Sequence, residues 1–258
     1  MNSEKGFWVL SQLGKKVLRP GGKELTEKII DFLHIQNKDS LVEFAPGKGF
    51  TTQLLLDKNP NDYYGIDIDS ATIAELKHKF PQSYCHFIQG SASQTGLLEN
   101  TADIVVGEAM LTMHADHRKL EIIAEAFRIL KPDGAYAIHE LGLTPDDVND
   151  TTKKEILVNL SKAGKVNARP LTSTEWVSLL QSKGFVVRKV MQSPMRLLEF
   201  RRLIADEGWL GWLGMVFRLL TKPHLRASVI GMKHAFQKYA PHLIAIAIIV
   251  QKPTNQEH

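Results

Sequence analysis

The 258-residue sequence predicts an α/β protein. The expected architecture is a doubly wound, mostly parallel seven-stranded sheet, ending in a C-terminal antiparallel edge hairpin that carries a helical insertion. Three observations lead there. Between residues 40 and 139, short apolar runs alternate with longer amphipathic stretches. Those runs are apolar throughout, as strands are when helices cover both faces of a parallel sheet. Finally, two more β-prone runs near the C-terminus flank a long, unusually apolar helical stretch.

Taken in order, Phe7–Leu18 reads as a short helix. Arg19-Pro20-Gly21-Gly22 follows as a turn, because proline fixes φ and glycine permits positive φ. A helix over about Lys23–Leu33 sets Leu25, Ile29, Ile30 and Leu33 on one face. Strands are expected at Ser40–Phe44, Tyr63–Ile66, His86–Gln89, Ile104–Val106 and Ala135–His139. Between them lie helices at about Thr51–Leu56, Ser70–Lys79 and His117–Leu130. Asp69 or Ser70 supplies the N-cap of the second, and Ile122, Ala126 and Ile129 are spaced for one face of the third. Lys131-Pro132-Asp133-Gly134 stops that helix and turns the chain into the next strand. Ser173–Lys183 is a helix capped by Thr172 or Ser173, with Glu175 nearby, and it ends at Gly184. Phe185–Met191 and His242–Val250 form the edge hairpin, with the insertion at about 194–239 rising above the sheet.

Composition bounds the function without naming it. A chain that is 43% hydrophobic and 23% charged buries a substantial core as one elaborated domain. Its 32 basic residues are nearly balanced by 28 acidic ones, an excess too small to point to nucleic acid. Cys85 stands alone, so no intrachain disulfide forms. The N-terminus lacks an apolar run with a cleavage site, and the apolar stretches Trp209–Phe217 and Leu243–Val250 are far short of the ~20 residues a bilayer requires. A cytoplasmic location is the expectation.

In a doubly wound sheet, ligands bind at the carboxyl ends of the strands, where the strand order reverses. The first strand runs into Glu43-Phe-Ala45-Pro46-Gly47-Lys-Gly49-Phe-Thr51-Thr52. A P-loop needs Lys followed by Ser or Thr, and Gly49 occupies that place. A dinucleotide fingerprint accommodates Gly47 and Gly49, but Thr52 takes the third glycine's position. An acidic residue ahead of a glycine turn suits a ligand with a positive amino group and no phosphate. The second strand ends at Asp67-Ile68-Asp69, where a carboxylate can accept both ribose hydroxyls; Asp69 reads as a helix cap. The third leads into Gln89-Gly90-Ser91-Ala92, a polar turn suited to the edge of an adenine. The fourth ends at Glu108, either at a ligand site or on an exposed loop.

These segments, with Arg128-Ile-Leu-Lys-Pro-Asp-Gly134, resemble the ordered motif series of class I methyltransferases. The resemblance covers about residues 40–142, with a looser echo at 171–191, and is greatest to the small-molecule branch containing the ubiquinone and menaquinone C-methyltransferases. It implies a Rossmann-like methyltransferase fold and S-adenosylmethionine as cofactor. The implied cofactor neighbours are Glu43, Ala45, Pro46, Gly47 and Gly49 at the methionine part, Asp67 on the ribose, Ile68 on the adenine face, Ser91 and Ala92 at its edge, and Glu108. Two departures stand out. Ala45 replaces the usual first glycine, which is tolerable if its φ is negative, and Ser91 stands where an Asp often meets the adenine amino group. On this reading residues 1–258 are one methyltransferase domain: an N-terminal helical cap at 1–39, a cofactor-binding core at 40–142, and sheet completion at 143–258 with a substrate lid at about 194–239.

Methyl transfer from a sulfonium is an in-line displacement, so alignment supplies much of the catalysis. A general base is needed only if the acceptor must lose a proton. Glu108, His114, His139 and Glu140 are the catalytic candidates near strand ends, with His117 beside them. His114-Ala-Asp116-His117 also has metal-ligand character, but no third ligand is near in sequence, and no metal is expected. The acceptor is expected to be a small molecule. The 209–220 segment fits a buried lid, a homodimer interface, or a membrane-surface contact flanked by Arg201, Arg202, Arg218, Lys222 and Arg226, the last implying a lipophilic acceptor. The competing functions are an NAD(P)-dependent oxidoreductase and a cofactor-binding scaffold without catalysis.

Overall fold

A computed structural model describes residues 21–164, 168–194 and 237–254, with positions 221 and 234. The expected Phe7–Leu18 helix, the Arg19-Pro20 half of the following turn and nearly all of the 194–239 insertion, including 209–220, lie outside the described residues.

Chain order is α1 (Gly22–Leu33), β1 (Ser40–Phe44), α2 (Phe50–Leu56), β2 (Asp62–Asp67), α3 (Ser70–Lys79), β3 (Cys85–Gln89) and β4 (Ala102–Glu108), then a 3₁₀ turn at Leu111–Met113. It continues with α4 (Asp116–Ile129), β5 (Leu130–Leu143), α5 (Asp150–Gly164), β6 (Leu171–Thr172), α6 (Ser173–Gln181), β7 (Val186–Pro194), a 3₁₀ turn at Ala240–His242 and β8 (Leu243–Gln251). The sheet order is β3-β2-β1-β4-β5-β8-β7, with the two-residue β6 attached to β5. The first five strands are parallel. β8 enters antiparallel between β5 and the edge strand β7. This is the doubly wound sheet with an antiparallel C-terminal edge that the alternation of elements predicts.

Side-chain period sorts the two faces. Leu41 of β1, Ile104 and Val106 of β4, and Ala245, Ala247 and Ile249 of β8 pack with α1, α2 and α3 through Leu25, Ile29, Leu55, Ile73 and Leu76. The alternate positions Val42, Phe44, Val105, Tyr136, Ile138, Ile246 and Ile248 pack with Ile122, Ile123 and Ala126 of α4 and Trp176 and Leu180 of α6. Both faces are covered, which is why the strands read as unbroken apolar runs.

Local signals match closely where capping chemistry is explicit. Asp69 caps α3 by accepting from the N–H groups of Ala71 and Thr72. Thr172 and Glu175 form a capping box at α6. Two regions differ from expectation. Lys131–Gly134 is not a free turn before a short strand but a bulge inside the fourteen-residue β5. Leu130 pairs with Ala102, the register then jumps to Ala135 opposite Ile104, and Asp133 adopts φ 62° within the bulge. A Cβ on Gly134 would stand 2.8 Å from the Lys131 carbonyl oxygen, so glycine is required there. The helix α5 has weak sequence signals, because its anchors lie far along the chain: Ile156 and Leu160 pack in the small cluster around Leu141, Leu143 and Leu243, Lys153 pairs with Glu175, and Glu155 accepts from the Tyr239 hydroxyl at 2.7 Å.

Candidate active site

The strand order reverses between β1, which pairs with β2, and β4 on its other side. The loops after β1, β2 and β4 therefore converge at the switch point. After β1, the Ala45 N–H extends the ladder to the Ile66 carbonyl at 2.8 Å, and the chain then turns through three left-handed residues, Ala45 (φ 53°), Gly47 (φ 55°) and Gly49 (φ 71°). The positive φ at Ala45 corrects the expectation that an alanine is tolerated there because its φ is negative. Ala45 thus bears a left-handed conformation that costs an L-residue about 1–2 kcal/mol. The two glycines do different work. A Cβ on Gly49 would overlap Leu76 and Phe80 at 2.7 Å, so Gly49 lets α2 dock against α3. A Cβ on Gly47 would meet nothing nearer than the Ala45 carbonyl at 3.9 Å. The loop backbone is bare on that side, while Pro46 beneath it is buried.

Asp67 ends β2 facing this loop. Its Oδ2 receives the Gly47 N–H at 3.4 Å and its Oδ1 the Asp69 N–H at 3.0 Å. Burial raises its pKa despite those donors. The next residue, Ile68, is 75% exposed, an apolar side chain in open solvent beside a carboxylate. Ser91 and Ala92 are half-buried across from it. The Ser91 hydroxyl is already engaged, accepting from Arg118 Nη2 at 3.1 Å and lying 3.0 Å from the Ser93 hydroxyl.

Three carboxylates expected at the site have distinct environments. Glu43 is buried under the glycine loop, where its Oε2 accepts from Thr52 Oγ1 at 2.8 Å and from the Tyr63 hydroxyl at 2.5 Å. Thr52, which spoils a dinucleotide fingerprint, thus braces α2 against β1. Burial and the adjoining Glu43 raise the Tyr63 pKa well above its ordinary value. Glu108, at the end of β4, gathers residues from three further elements. Its Oε1 accepts from Thr26 Oγ1 of α1 at 2.7 Å and meets His139 Nδ1 of β5 at 2.8 Å, while its Oε2 accepts from Thr51 Oγ1 of α2. The roles of Thr26 and Thr51 escape a sequence reading because Glu108 lies 82 and 57 residues away.

Glu140 separates from its neighbour. Successive strand residues face opposite sides, so His139 points toward Glu108 and Glu140 toward the other face. There Glu140 is fully buried, accepting from the N–H groups of Met110 (3.0 Å), Leu111 (2.7 Å) and Thr112 (3.0 Å) and from the Thr112 hydroxyl (2.6 Å). Burial raises its pKa even so. The expectation that Glu140 meets substrate alongside His139 is therefore corrected: its carboxylate is committed to holding the 3₁₀ turn after β4. His114 follows that turn, half-buried, with its pKa lowered first by burial and then by Arg118 and Lys119. His117 is exposed on α4. Asp116 pairs with the buried Lys119 at 2.9 Å, while Ala115 holds the N-cap position. Among the described residues, no group of three or more His, Cys, Asp or Glu gathers in a metal-binding arrangement.

Residues 42–138, from β1 through β5, match the family described as a methyltransferase domain. A Haemophilus influenzae protein, named only as uncharacterized, is 32% identical over 253 residues, covering 96% of this chain and 98% of its own. A methyltransferase-like protein of Schizosaccharomyces pombe is 26% identical over 163 residues, 62% of this chain and 59% of that one. Among solved structures, the phosphoethanolamine N-methyltransferase 2 of Haemonchus contortus, in complex with S-adenosylhomocysteine, superposes with a TM-score of 0.73 at 15% identity, over 96% of this chain and 58% of that one. Residues 42–138 therefore carry a methyltransferase domain, and the chain shares its fold with solved methyltransferases.

Proposed function

We propose that the chain transfers a methyl group from S-adenosylmethionine to a small-molecule acceptor by direct in-line displacement. The observation that carries this reading is the pairing of a bare glycine loop with a carboxylate beside the switch point: a Cβ on Gly47 would meet nothing nearer than 3.9 Å, and Asp67 faces the loop from β2. The donor set fits the cofactor. The backbone of Ala45, Pro46, Gly47 and Gly49 would lie along the methionine part, above Glu43. Asp67 would accept the ribose hydroxyls, exposed Ile68 would cover an adenine face, Ser91 and Ala92 would border its edge, and Glu108 would stand beyond the methionine end. When bound, the cofactor supplies an already activated methyl group. What the protein adds is alignment, since holding reacting atoms in line removes an entropic barrier. The nicotinamide-dependent alternative gains nothing from the comparisons, and Thr52 has a role in bracing α2 instead of leaving a gap in a dinucleotide motif.

Calorimetry tests the reading directly. S-adenosylhomocysteine is expected to bind and NADH not to bind. Removing Asp67 deletes hydrogen bonds to a charged acceptor, a single one being worth about 1.5–3 kcal/mol, so Asp67→Ala should weaken S-adenosylhomocysteine binding by roughly 10-fold or more. Unchanged affinity would sink the ribose assignment. Incubation with labelled cofactor and fractionated cell extract separates an enzyme from a cofactor-binding scaffold, which would bind tightly and label nothing. A lipophilic acceptor is the finer proposal; it rests on the apolar character of residues 209–220.

A further inference from the structure

Ser91, on the turn after β3, stands where the motif series that this sequence resembles often carries an Asp. Its surroundings give it the opposite chemistry. Ser91 Oγ accepts twice, from Arg118 Nη2 at 3.1 Å and from the Ser93 N–H at 3.3 Å. A hydroxyl oxygen has two acceptor lone pairs and one proton to give. With both lone pairs engaged, the Ser91 proton passes toward Ser93 Oγ, 3.0 Å away. The hydrogen bonds thus run outward from a cation, and Ser91 keeps no acceptor for a ligand.

The helix α4 fixes this arrangement. Arg118 Nη1 is held by Glu121 Oε2 at 2.6 Å. Two turns further along, Glu125 accepts the N–H and the hydroxyl of Thr95. Residues seven apart share a helix face, so α4 pins the turn at both ends. The turn itself closes through the Gln94 N–H, which donates to the Ser91 carbonyl at 2.9 Å. The groups are also open to a ligand. The Arg118 side chain is 40% exposed, Ser91 and Ala92 are half-buried, and the register Asp67↔Gln89 brings exposed Ile68 to the same strand end.

We infer that Arg118 sets the hydrogen-bond polarity of the base subsite. It presents a donor array and a positive charge where an Asp would present an acceptor, so the base is held through its ring nitrogens and its exocyclic amino group is not selected. This rests on the cofactor reading above and adds a specificity residue that lies outside the motif series. A carboxylate offers acceptors only and therefore suits an amino group. A saturated hydroxyl beside a guanidinium offers none, and the positive charge favours the lone pairs of ring nitrogens over the protons of an amine.

Titration calorimetry on the full chain tests this by comparing S-adenosylhomocysteine with its analogue whose base is unsubstituted purine, which lacks only the amino group. A charged acceptor for that group would cost the analogue roughly 10-fold or more in affinity. Here the two dissociation constants should agree within about 3-fold, and a larger gap overturns the inference. Ser91→Asp supplies the acceptor and should open the gap to roughly 10-fold or more. An unchanged ratio in that variant would show that the base does not meet the turn, and overturns the inference equally. Arg118→Ala frees a lone pair on Ser91 and should widen the gap beyond about 3-fold, whereas Arg118→Lys, which keeps a charged donor, should hold the wild-type ratio. A wild-type ratio in Arg118→Ala takes the role away from Arg118. Each of these failures leaves the methyltransferase reading standing while S-adenosylhomocysteine binds; wild-type protein that binds neither ligand overturns both.

Discussion

Ala45 and Ala109 occupy equivalent places, one residue past the ends of β1 and β4, and each holds φ 53°. Each strand must turn sharply there to free its carboxyl end, and the left-handed backbone is the means. Glycine would meet that demand without Cβ strain, so Ala45→Gly should stabilise the fold by about 0.5–1 kcal/mol and raise Tm by roughly 1–4 °C. Thermal unfolding checks this, and a lowered Tm would show that the alanine is not strained. His139 and Glu140 teach the complementary lesson. Both read as site residues because both are polar in an apolar strand, yet period-two alternation sends one to Glu108 and the other into the turn after β4. Sequence marks such residues as special, but the use of each depends on which face of the sheet it meets.

At the scale of elements, α4 clamps the β3–β4 connection. Glu125 accepts from the Thr95 N–H at 2.8 Å, from Thr95 Oγ1 at 2.6 Å, and from Arg128 Nε at 2.7 Å, while Arg128 Nη2 donates to the Leu97 carbonyl at 2.7 Å. Arg128 belongs to the motif by which the family is recognised, and its work here is structural. Arg128 and the Thr95 donors hold the Glu125 carboxyl down to about 2, against 4.5 when unperturbed. A depressed folded-state pKa contributes stability that is present above 4.5 and is lost as pH falls toward 2. Glu125→Gln should therefore cost about 1–3 kcal/mol at neutral pH. In urea unfolding its deficit relative to wild type should shrink steadily on acidification through that window. A deficit independent of pH would mean the carboxylate charge contributes nothing. Helices with such explicit polar anchors or caps (α3, α4, α6) are legible in the sequence. α5, whose apolar and polar partners (Glu175, Lys238, Tyr239, Leu243) all lie far along the chain, is not.

For the whole molecule, the decisive insertion is β8. It pairs with β5 from Leu143↔Leu243 to Ala135↔Gln251 and with β7 on its other edge. Its side chains Leu243, Ile246, Ile248, Ile249 and Val250 are buried. Together they withdraw enough apolar surface to contribute roughly 8–15 kcal/mol, comparable to the whole stability of a typical domain. A chain ended after Pro241 should show no cooperative unfolding transition, because β5 loses a neighbour and β7 its only one among the described strands. A truncated chain that melts near the wild-type temperature would show β8 to be dispensable.

The sequence by itself determined the alternation of elements, the parallel sheet with its antiparallel edge, the glycine turn after β1 and the carboxylate after β2. Each is written in residues close together in the chain, where periodicity, caps and turn chemistry act. Only the tertiary structure decided that Thr26, Thr51 and His139 converge on Glu108, that Glu140 braces a turn, and that Ala45 bends left-handed. Those outcomes depend on register and on which face each strand presents, and contacts between residues 28 to 82 positions apart leave no local trace in the order of amino acids.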